Sequence, residues 1–125
     1  MRAAAAKLDV LIVEDHRDTA ESLRVLLEIA GHRAHVACDG PAALRALETV
    51  RPDAVLVDLG LPGMSGQDLA LRLRSHPACK DSMIMALSGY VDDAIGPESA
   101  FDSHLEKPVD PDVLLEHLAR VSKGG

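Results

Sequence analysis

The chain has 125 residues, a length that suits one domain with one core, and 47% of the residues are hydrophobic. The net charge of −7 argues against binding nucleic acid through phosphates, and the scarcity of aromatic side chains argues against base stacking. No apolar run approaches the roughly 18 residues that span a bilayer and no signal peptide is evident, so we expect a cytoplasmic protein without membrane contact.

The two cysteines, Cys38 and Cys79, lie in unrelated contexts without the close spacing of a metal or redox pair. We therefore expect free thiols rather than a disulfide. An alanine-rich start and a glycine-rich end predict flexible tails over residues 1–7 and 122–125, which leaves one domain over residues 8–121.

The first unit is predicted to be a strand, an acidic loop and a helix. Residues 8–13 form an apolar run typical of a buried strand, and two consecutive acids follow it. Asp18 with Glu21 three residues later resembles a capping box, which predicts a helix start. Leucines at helical spacing continue this helix, and Gly31 predicts its end.

The next segments continue the alternation of strand and helix. Residues 32–38 form a short run of mixed polarity, which favours a strand at the edge of the sheet. Residues 39–50 predict a second helix, with Pro41 in its first turn, where a missing N–H does no harm. The apolar run 54–57 predicts a strand buried on both faces, and it ends in Asp58 and a loop rich in glycine.

The second half of the chain predicts further strands and helices. Residues 65–75 predict a third helix, residues 82–87 a fourth strand and residues 103–106 a short fifth strand. Asp110 and Pro111 predict the start of a final helix. Its predicted apolar stripe consists of Val113, Leu114, Leu118 and Val121. Strands that alternate with helices imply an α/β fold with parallel strands and right-handed crossovers.

Polar side chains stand at the carboxyl ends of four predicted strands: Glu14 with Asp15, Asp58, Ser88 and Lys107. In a parallel sheet these ends share one edge, where open α/β sheets bind ligands. Crowded carboxylates repel one another, and Mg²⁺ relieves that repulsion. Asp15 and Asp58 are the expected direct ligands, and Glu14 would bind directly or through water. The backbone carbonyl of Gly60 is a further candidate oxygen.

A reactive carboxylate would give this edge its chemistry. Asp58 can attack a phosphoryl group and form an acyl phosphate. Charge on the phosphoryl oxygens must then be met by cations and donors that are already in place. The ammonium of Lys107 and the hydroxyl of Ser88 would supply them beside the metal.

Four segments in order carry a resemblance over nearly the whole chain: VEDHRDTAESLRVLLEIAGH, VLVDLGLPGMSG, ALSGY and LEKPVDP. They resemble, in turn, the first strand with its acid pair and helix, the phosphoacceptor loop, the switch strand and the lysine–proline segment of one family. That family is the receiver domain of two-component response regulators. Each motif alone is a weak signal, but all four in this order and spacing are specific.

The resemblance implies a flavodoxin-like fold with strand order 2-1-3-4-5. It implies that Asp58 accepts phosphate from a sensor histidine kinase or a histidine phosphotransfer protein, with Mg²⁺ held at Glu14, Asp15 and Asp58. Ser88 would act as the switch residue, and Lys107 would pair with the phosphate. Such a domain is no enzyme beyond its own phosphotransfer and dephosphorylation. Its output would reach a protein target or a covalently linked kinase or effector domain.

Two features depart from the family's pattern. His104 stands three positions before the lysine, where the family usually has an aromatic switch residue. A switch role and an exposed polar residue on an edge strand are equal alternatives for it. Residues 90–100 contain Gly96 and Pro97, which predicts a shortened, displaced or irregular fourth helix and an atypical face for partner recognition.

Other functions stay open alongside a phosphorylated switch. A degenerate receiver would serve as a docking module independent of phosphorylation, but such a domain usually lacks one or more of the acid pair and the counterparts of Asp58, Ser88 and Lys107, all of which this chain has. An aspartyl phosphatase generally needs a second acid two residues after the nucleophile, where this chain has Gly60. A flavin or dinucleotide binder could share the fold, but no GxGxxG follows the first strand. The sequence therefore favours the phosphorelay receiver.

Overall fold

The computed structural model describes residues 7–60, 63–88 and 100–121. Within them, the strands are β1 (Asp9–Val13), β2 (Arg33–Ala37), β3 (Ala54–Asp58), β4 (Met83–Ser88) and β5 (Ser103–Glu106). The helices are α1 (Arg17–Ile29), α2 (Gly40–Ala46), α3 (Gly66–Ser75) and α4 (Pro111–Ala119), with a short 3₁₀ helix at Pro77–Cys79.

The five strands are all parallel and lie in the order β2-β1-β3-β4-β5, which confirms the predicted fold. The polar β2 is an edge strand, as its composition predicted. The register pairs Val13 with Val57, Asp58 with Leu87, and Ser88 with Glu106. The residues that follow β1, β3, β4 and β5 are therefore at one edge of the sheet.

The central strand β3 is buried at every position because helices cover both faces of the sheet. Val55 and Val57 belong to the hydrophobic cluster beneath α2 and α3. Ala54 and Leu56 belong to the cluster beneath α1 and α4. This two-sided packing fixes the direction of the strand, and so it fixes where Asp58 leaves the sheet.

Helix α1 does not begin with the predicted capping box. His16 is its N-cap, and Nδ1 of the ring accepts a hydrogen bond from the Thr19 N–H at 3.4 Å. Asp18 lies inside the first turn, and Glu21 binds Arg24 on the helix surface. The prediction was wrong because the ring nitrogen of His16 serves as the cap acceptor, a role usually filled by a side-chain oxygen.

Other helix boundaries follow local sequence signals. Gly31 has a φ of +99° and ends α1 in the left-handed conformation that glycine adopts without strain. Asp110, where the last helix was predicted to start, accepts a backbone N–H at 2.8 Å as its N-cap, and Asp39 does the same at the start of α2. Helix α2 ends at Ala46, earlier than predicted, because residues 47–49 form the tighter hydrogen bonds typical of a 3₁₀ turn.

The predicted apolar stripe of α4 is correct except at Val113. Leu114 and Leu118 are buried and Val121 packs beside them, but Val113 is 39% exposed. One step along a helix turns a side chain by about 100°, so Val113 lies at the edge of the apolar face that Leu114 and Leu118 present to the core.

Both cysteines are free thiols, as predicted, with Cys38 exposed and Cys79 buried. Burial raises the pKa of the Cys79 thiol. Among the described residues, the helices are too short or too polar to cross a membrane. The prediction of an irregular fourth helix concerns residues 90–100, of which 90–99 lie outside the described part of the chain. The predicted tails also lie outside it, except for Lys7.

Candidate metal centre at the carboxyl edge of the sheet

Three carboxylates converge where β1 and β3 end. One carboxylate oxygen from each of Glu14, Asp15 and Asp58 lies within 4.8 Å of the other two. Glu14 and Asp58 are buried, at 2% and 7% exposure, whereas Asp15 faces solvent. Burying two carboxyl groups side by side is costly without a cation. Hard oxygen ligands with one side open to water fit Mg²⁺, which binds few protein ligands and retains several waters.

Lys107 is the cation that the chain itself supplies to this cluster. Its Nζ lies 3.1 Å from Oε1 of Glu14 and 3.1 Å from Oδ1 of Asp58. The backbone N–H of Lys107 donates to the carbonyl of Ser88 at 2.7 Å, which ties the end of β5 to the end of β4. The predicted group of Glu14, Asp15, Asp58 and Lys107 is therefore assembled in one place.

Ser88 is the last residue of β4 and is 5% exposed. Because Leu87 is the register partner of Asp58, Ser88 lies one residue further along the neighbouring strand. This places the serine at the same edge of the sheet as the acids. Its predicted role as a hydroxyl donor stays a prediction.

Gly60 contacts Asp58 in a way that the sequence analysis missed. Its backbone N–H donates to Oδ1 of Asp58 at 2.9 Å. Glu14 accepts similarly, from the N–H of His16 at 3.2 Å. A carboxylate that accepts from the N–H two residues later is a recurrent turn, so an acid followed by a glycine-rich loop was an available signal. The predicted use of the Gly60 carbonyl as a metal ligand stays a prediction.

The surroundings shift the pKa values of the two buried acids, Glu14 and Asp58, in opposite directions. Burial raises the pKa of Glu14, and the contact with Asp58 raises it further. Burial opposes ionisation of Asp58 too, but the Gly60 N–H, Glu14 and Lys107 outweigh it and lower the Asp58 pKa. Burial by itself would lower the pKa of Lys107. The contacts with Asp58 and Glu14 outweigh this effect and raise the pKa. Asp58 is thus held as a carboxylate, the form that acts as a nucleophile.

Two alternatives were predicted for His104, and the structure contradicts the one in which it is an exposed polar residue on an edge strand. The side chain is half-buried, and its Nε2 is buried without a hydrogen-bond partner among the residues that the structure describes. The register places His104 opposite Ala86, two residues before Ser88 on β4. His104 and Ser88 therefore project to the same face of the sheet. A switch role for His104 stays a prediction.

The fold and this edge define a class, namely parallel α/β proteins with an acidic, lysine-bridged site at the carboxyl ends of their strands. The family model of the response regulator receiver domain matches residues 10–119. The chain belongs to this family.

Among curated proteins, the chain is 38% identical over 116 residues to the sensory transduction protein RegX3 of Mycobacterium bovis, covering 93% of this chain and 51% of the relative. It is 39% identical over 109 residues to the DNA-binding response regulator MtrA of Mycolicibacterium paratuberculosis, covering 87% and 48%. The chain spans about half the length of these relatives.

Among solved structures, a CheY-like receiver domain from Methylobacillus flagellatus has a TM-score of 0.86 at 39% identity, covering 94% of this chain and 100% of that one. The receiver domain of the sensor histidine kinase PA1611 from Pseudomonas aeruginosa has a TM-score of 0.77 at 27% identity, covering 93% and 98%. That structure has a magnesium ion coordinated in its active-site cleft.

Proposed function

We propose that this domain accepts a phosphoryl group on Asp58 from a histidine kinase or a histidine phosphotransfer protein, in a Mg²⁺-dependent reaction, and that phosphorylation switches partner binding. The observation that carries the proposal is the position of Lys107, whose Nζ is 3.1 Å from both buried acids. A cation fixed there meets Asp58 without further movement, so it is in place before a phosphoryl group arrives.

The residues divide the work of the transfer. The phosphorus–nitrogen bond of the donor breaks as a bond forms between phosphorus and a carboxylate oxygen of Asp58. Lys107 would neutralise one phosphoryl oxygen, and the hydroxyl of Ser88 would donate to another. Attack of water on the acyl phosphate would later return Asp58 and release inorganic phosphate.

Glu14, Asp15 and Asp58 would hold Mg²⁺, with the Gly60 carbonyl as a further ligand. Once bound, the ion would neutralise charge on the transferring phosphoryl group. The structure of PA1611, with its ion in the active-site cleft, supports this assignment. So does the need of two buried carboxyl groups for a counter-charge.

The protein partner needs a path towards Asp58, and a groove reaches Lys107, whose Nζ is 3.1 Å from that acid. It lies between α1 and the segment after β5, and its walls include Thr19, Leu23 and Val109. We propose that the partner's phosphohistidine approaches along it. The net charge of −7 disfavours DNA binding by this domain, so any DNA contact would belong to a linked segment. A cytoplasmic location is part of the same proposal.

Phosphorylation by a small acyl phosphate tests the proposal directly. We expect the intact mass of the wild-type protein to increase by one phosphoryl group in the presence of Mg²⁺, and the Asp58→Ala and Asp58→Asn variants to show no increase. Asp68→Asn is the matched control, because Asp68 is exposed in the first turn of α3. A mass increase in the Asp58 variants, or none in the wild type, would contradict the proposal.

A degenerate receiver that acts only as a docking module is not favoured. One carboxylate oxygen of each acid lies within 4.8 Å of the other two, and Lys107 contacts Glu14 and Asp58 at 3.1 Å. Ser88 is at the same edge of the sheet. A domain without phosphotransfer has no need to keep a buried, mutually repulsive pair of carboxyl groups.

A further inference from the structure

We infer that Met64 is a positioning residue for the loop after Asp58, and that it acts by resting on Gly40 at the start of α2. This contact would hold Gly60 in the place where its backbone meets Asp58. The inference rests on the proposed function only where it predicts Mg²⁺ affinity. Its prediction for the Gly60 amide holds whether or not the domain is phosphorylated.

Met64 packs directly over Gly40. A Cβ atom built on Gly40 would lie 3.0 Å from Sδ, 3.3 Å from Cε and 3.5 Å from Cβ of Met64. Gly40 is buried, and Met64 is half-buried against the hydrophobic cluster beneath α2 and α3. The missing side chain at Gly40 therefore creates the space that the methionine fills. A flexible, unbranched thioether adapts well to such an irregular surface.

A second glycine, Gly66, contacts Leu59 at the start of the same loop. A Cβ on Gly66 would lie 2.6 Å from Cδ2 and 3.2 Å from Cα of Leu59. The Cα atom belongs to the backbone and cannot give way, so the start of α3 lies against the first residue after β3. Leu61 and Pro62 are outside the described residues, and both contacts are made by residues on either side of them.

Gly60, which hydrogen-bonds Asp58, lies in the sequence between Leu59 and Met64, the loop residues that make these two contacts. Gly60 follows Leu59, and its N–H donates to Oδ1 of Asp58 at 2.9 Å. The contact of Gly66 with Leu59 fixes the start of the loop. The contact of Met64 with Gly40 attaches the loop to α2. The loss of an outer contact that orients a metal ligand commonly lowers metal affinity by about 10–100-fold. Met64 is thus expected to act on the site through Gly60 without contacting metal or phosphate itself.

A double-mutant cycle between Met64 and Gly40 tests this coupling. Met64→Ala removes the contact, and Gly40→Ala displaces the sulfur by a few tenths of an ångström at little steric cost, because the end of a methionine side chain can shift. In the Met64→Ala background, the methyl group added at position 40 no longer meets the sulfur. The two substitutions should therefore be non-additive.

Two readouts separate positioning from general stability. The first is the chemical shift and hydrogen exchange of the Gly60 amide in the metal-free protein. The second is the Mg²⁺ dissociation constant from a titration. We expect Met64→Ala to speed exchange at Gly60 and to weaken Mg²⁺ binding about tenfold. Gly40→Ala should weaken binding by a smaller factor while the thermal midpoint stays unchanged or rises, because alanine favours the helix. The double variant should match Met64→Ala.

The outcomes distinguish the two proposals. An unchanged Gly60 amide in both single variants overturns the inference, and so does additivity in the double variant. If Met64→Ala does not fold, Gly40→Ala and Met64→Leu decide the matter by the same readouts. If the wild type neither binds Mg²⁺ nor accepts phosphate, the proposed function fails, and the Gly60 amide still decides whether Met64 positions the loop.

Discussion

Lys107 is held between two acids that lie far from it in the sequence. Glu14 is 93 residues away, and the ammonium contacts both this residue and Asp58 at 3.1 Å. A divalent cation would compete with this ammonium for the same oxygens. In the proposed function the lysine would therefore have two opposed effects, because it would help to bind phosphate and would hinder the binding of metal.

Replacing Lys107 by alanine should separate these effects. Without the competing charge, we expect Mg²⁺ to bind about tenfold more tightly, which corresponds to about 1.4 kcal/mol. The rate of phosphorylation by a small donor should fall about a hundredfold, because a pre-placed cation is lost. Titration and intact mass measure the two quantities, and Lys80→Ala, at an exposed lysine, is the control. Weaker Mg²⁺ binding by Lys107→Ala would show that the lysine organises the acids instead of competing with metal.

At the scale of elements, Arg74 joins helix α3 to two strands. Its guanidinium donates to the Ser82 carbonyl at 2.8 Å, the Ala100 carbonyl at 3.2 Å and the Asp102 carboxylate at 2.6 Å. The same Asp102 oxygen also accepts from the N–H of Ile84 at 2.8 Å. One side chain thus links the end of α3, the start of β4 and the approach to β5.

Arg74→Ala should destabilise the domain by about 1–3 kcal/mol, because it leaves partly buried acceptors without their donor. The matched control is Arg72→Ala, whose side chain is exposed on the same helix and which should cost less than about 0.5 kcal/mol. Urea unfolding measures both changes. Equal stability of the two variants would mean that water replaces the arginine without cost.

For the whole molecule, stability without metal should depend on pH through Glu14. Its pKa is raised by burial and by Asp58, so the folded state binds the proton more tightly than the unfolded chain does. The resulting stabilisation is complete below the unfolded pKa and is lost as pH rises through the raised folded value.

With metal removed by a chelator, the wild-type protein should lose stability as pH rises from acidic to neutral. The Glu14→Gln variant should therefore lose less stability over the same range. Its free energy of unfolding should exceed that of the wild type by about 1 kcal/mol at neutral pH, because a neutral amide replaces a buried charge. Denaturant unfolding across this pH range measures the difference, with Asp68→Asn as the exposed control. Parallel curves for wild type and Glu14→Gln would show that Glu14 ionises in the folded state without penalty.

The amino-acid sequence was sufficient to predict the sheet and to predict which side chains gather at its carboxyl edge. Apolar runs that end in polar residues mark buried parallel strands, and the geometry of such a sheet gathers their carboxyl ends at one edge. Asp58 and Lys107 could therefore be placed together from the sequence alone. The helix cap Asp110 was equally predictable, because a cap depends on a few neighbouring residues.

Only the tertiary structure decided which atoms meet. The contact of Met64 with Gly40, the three bonds of Arg74 and the shared position of Lys107 join residues from separate elements, so they depend on how those elements pack. The cap at His16 was decided by the path of the acidic loop, which sets where α1 begins. Local patterns specify elements because neighbouring residues interact whatever the fold is, whereas distances between elements arise only when the core has been packed.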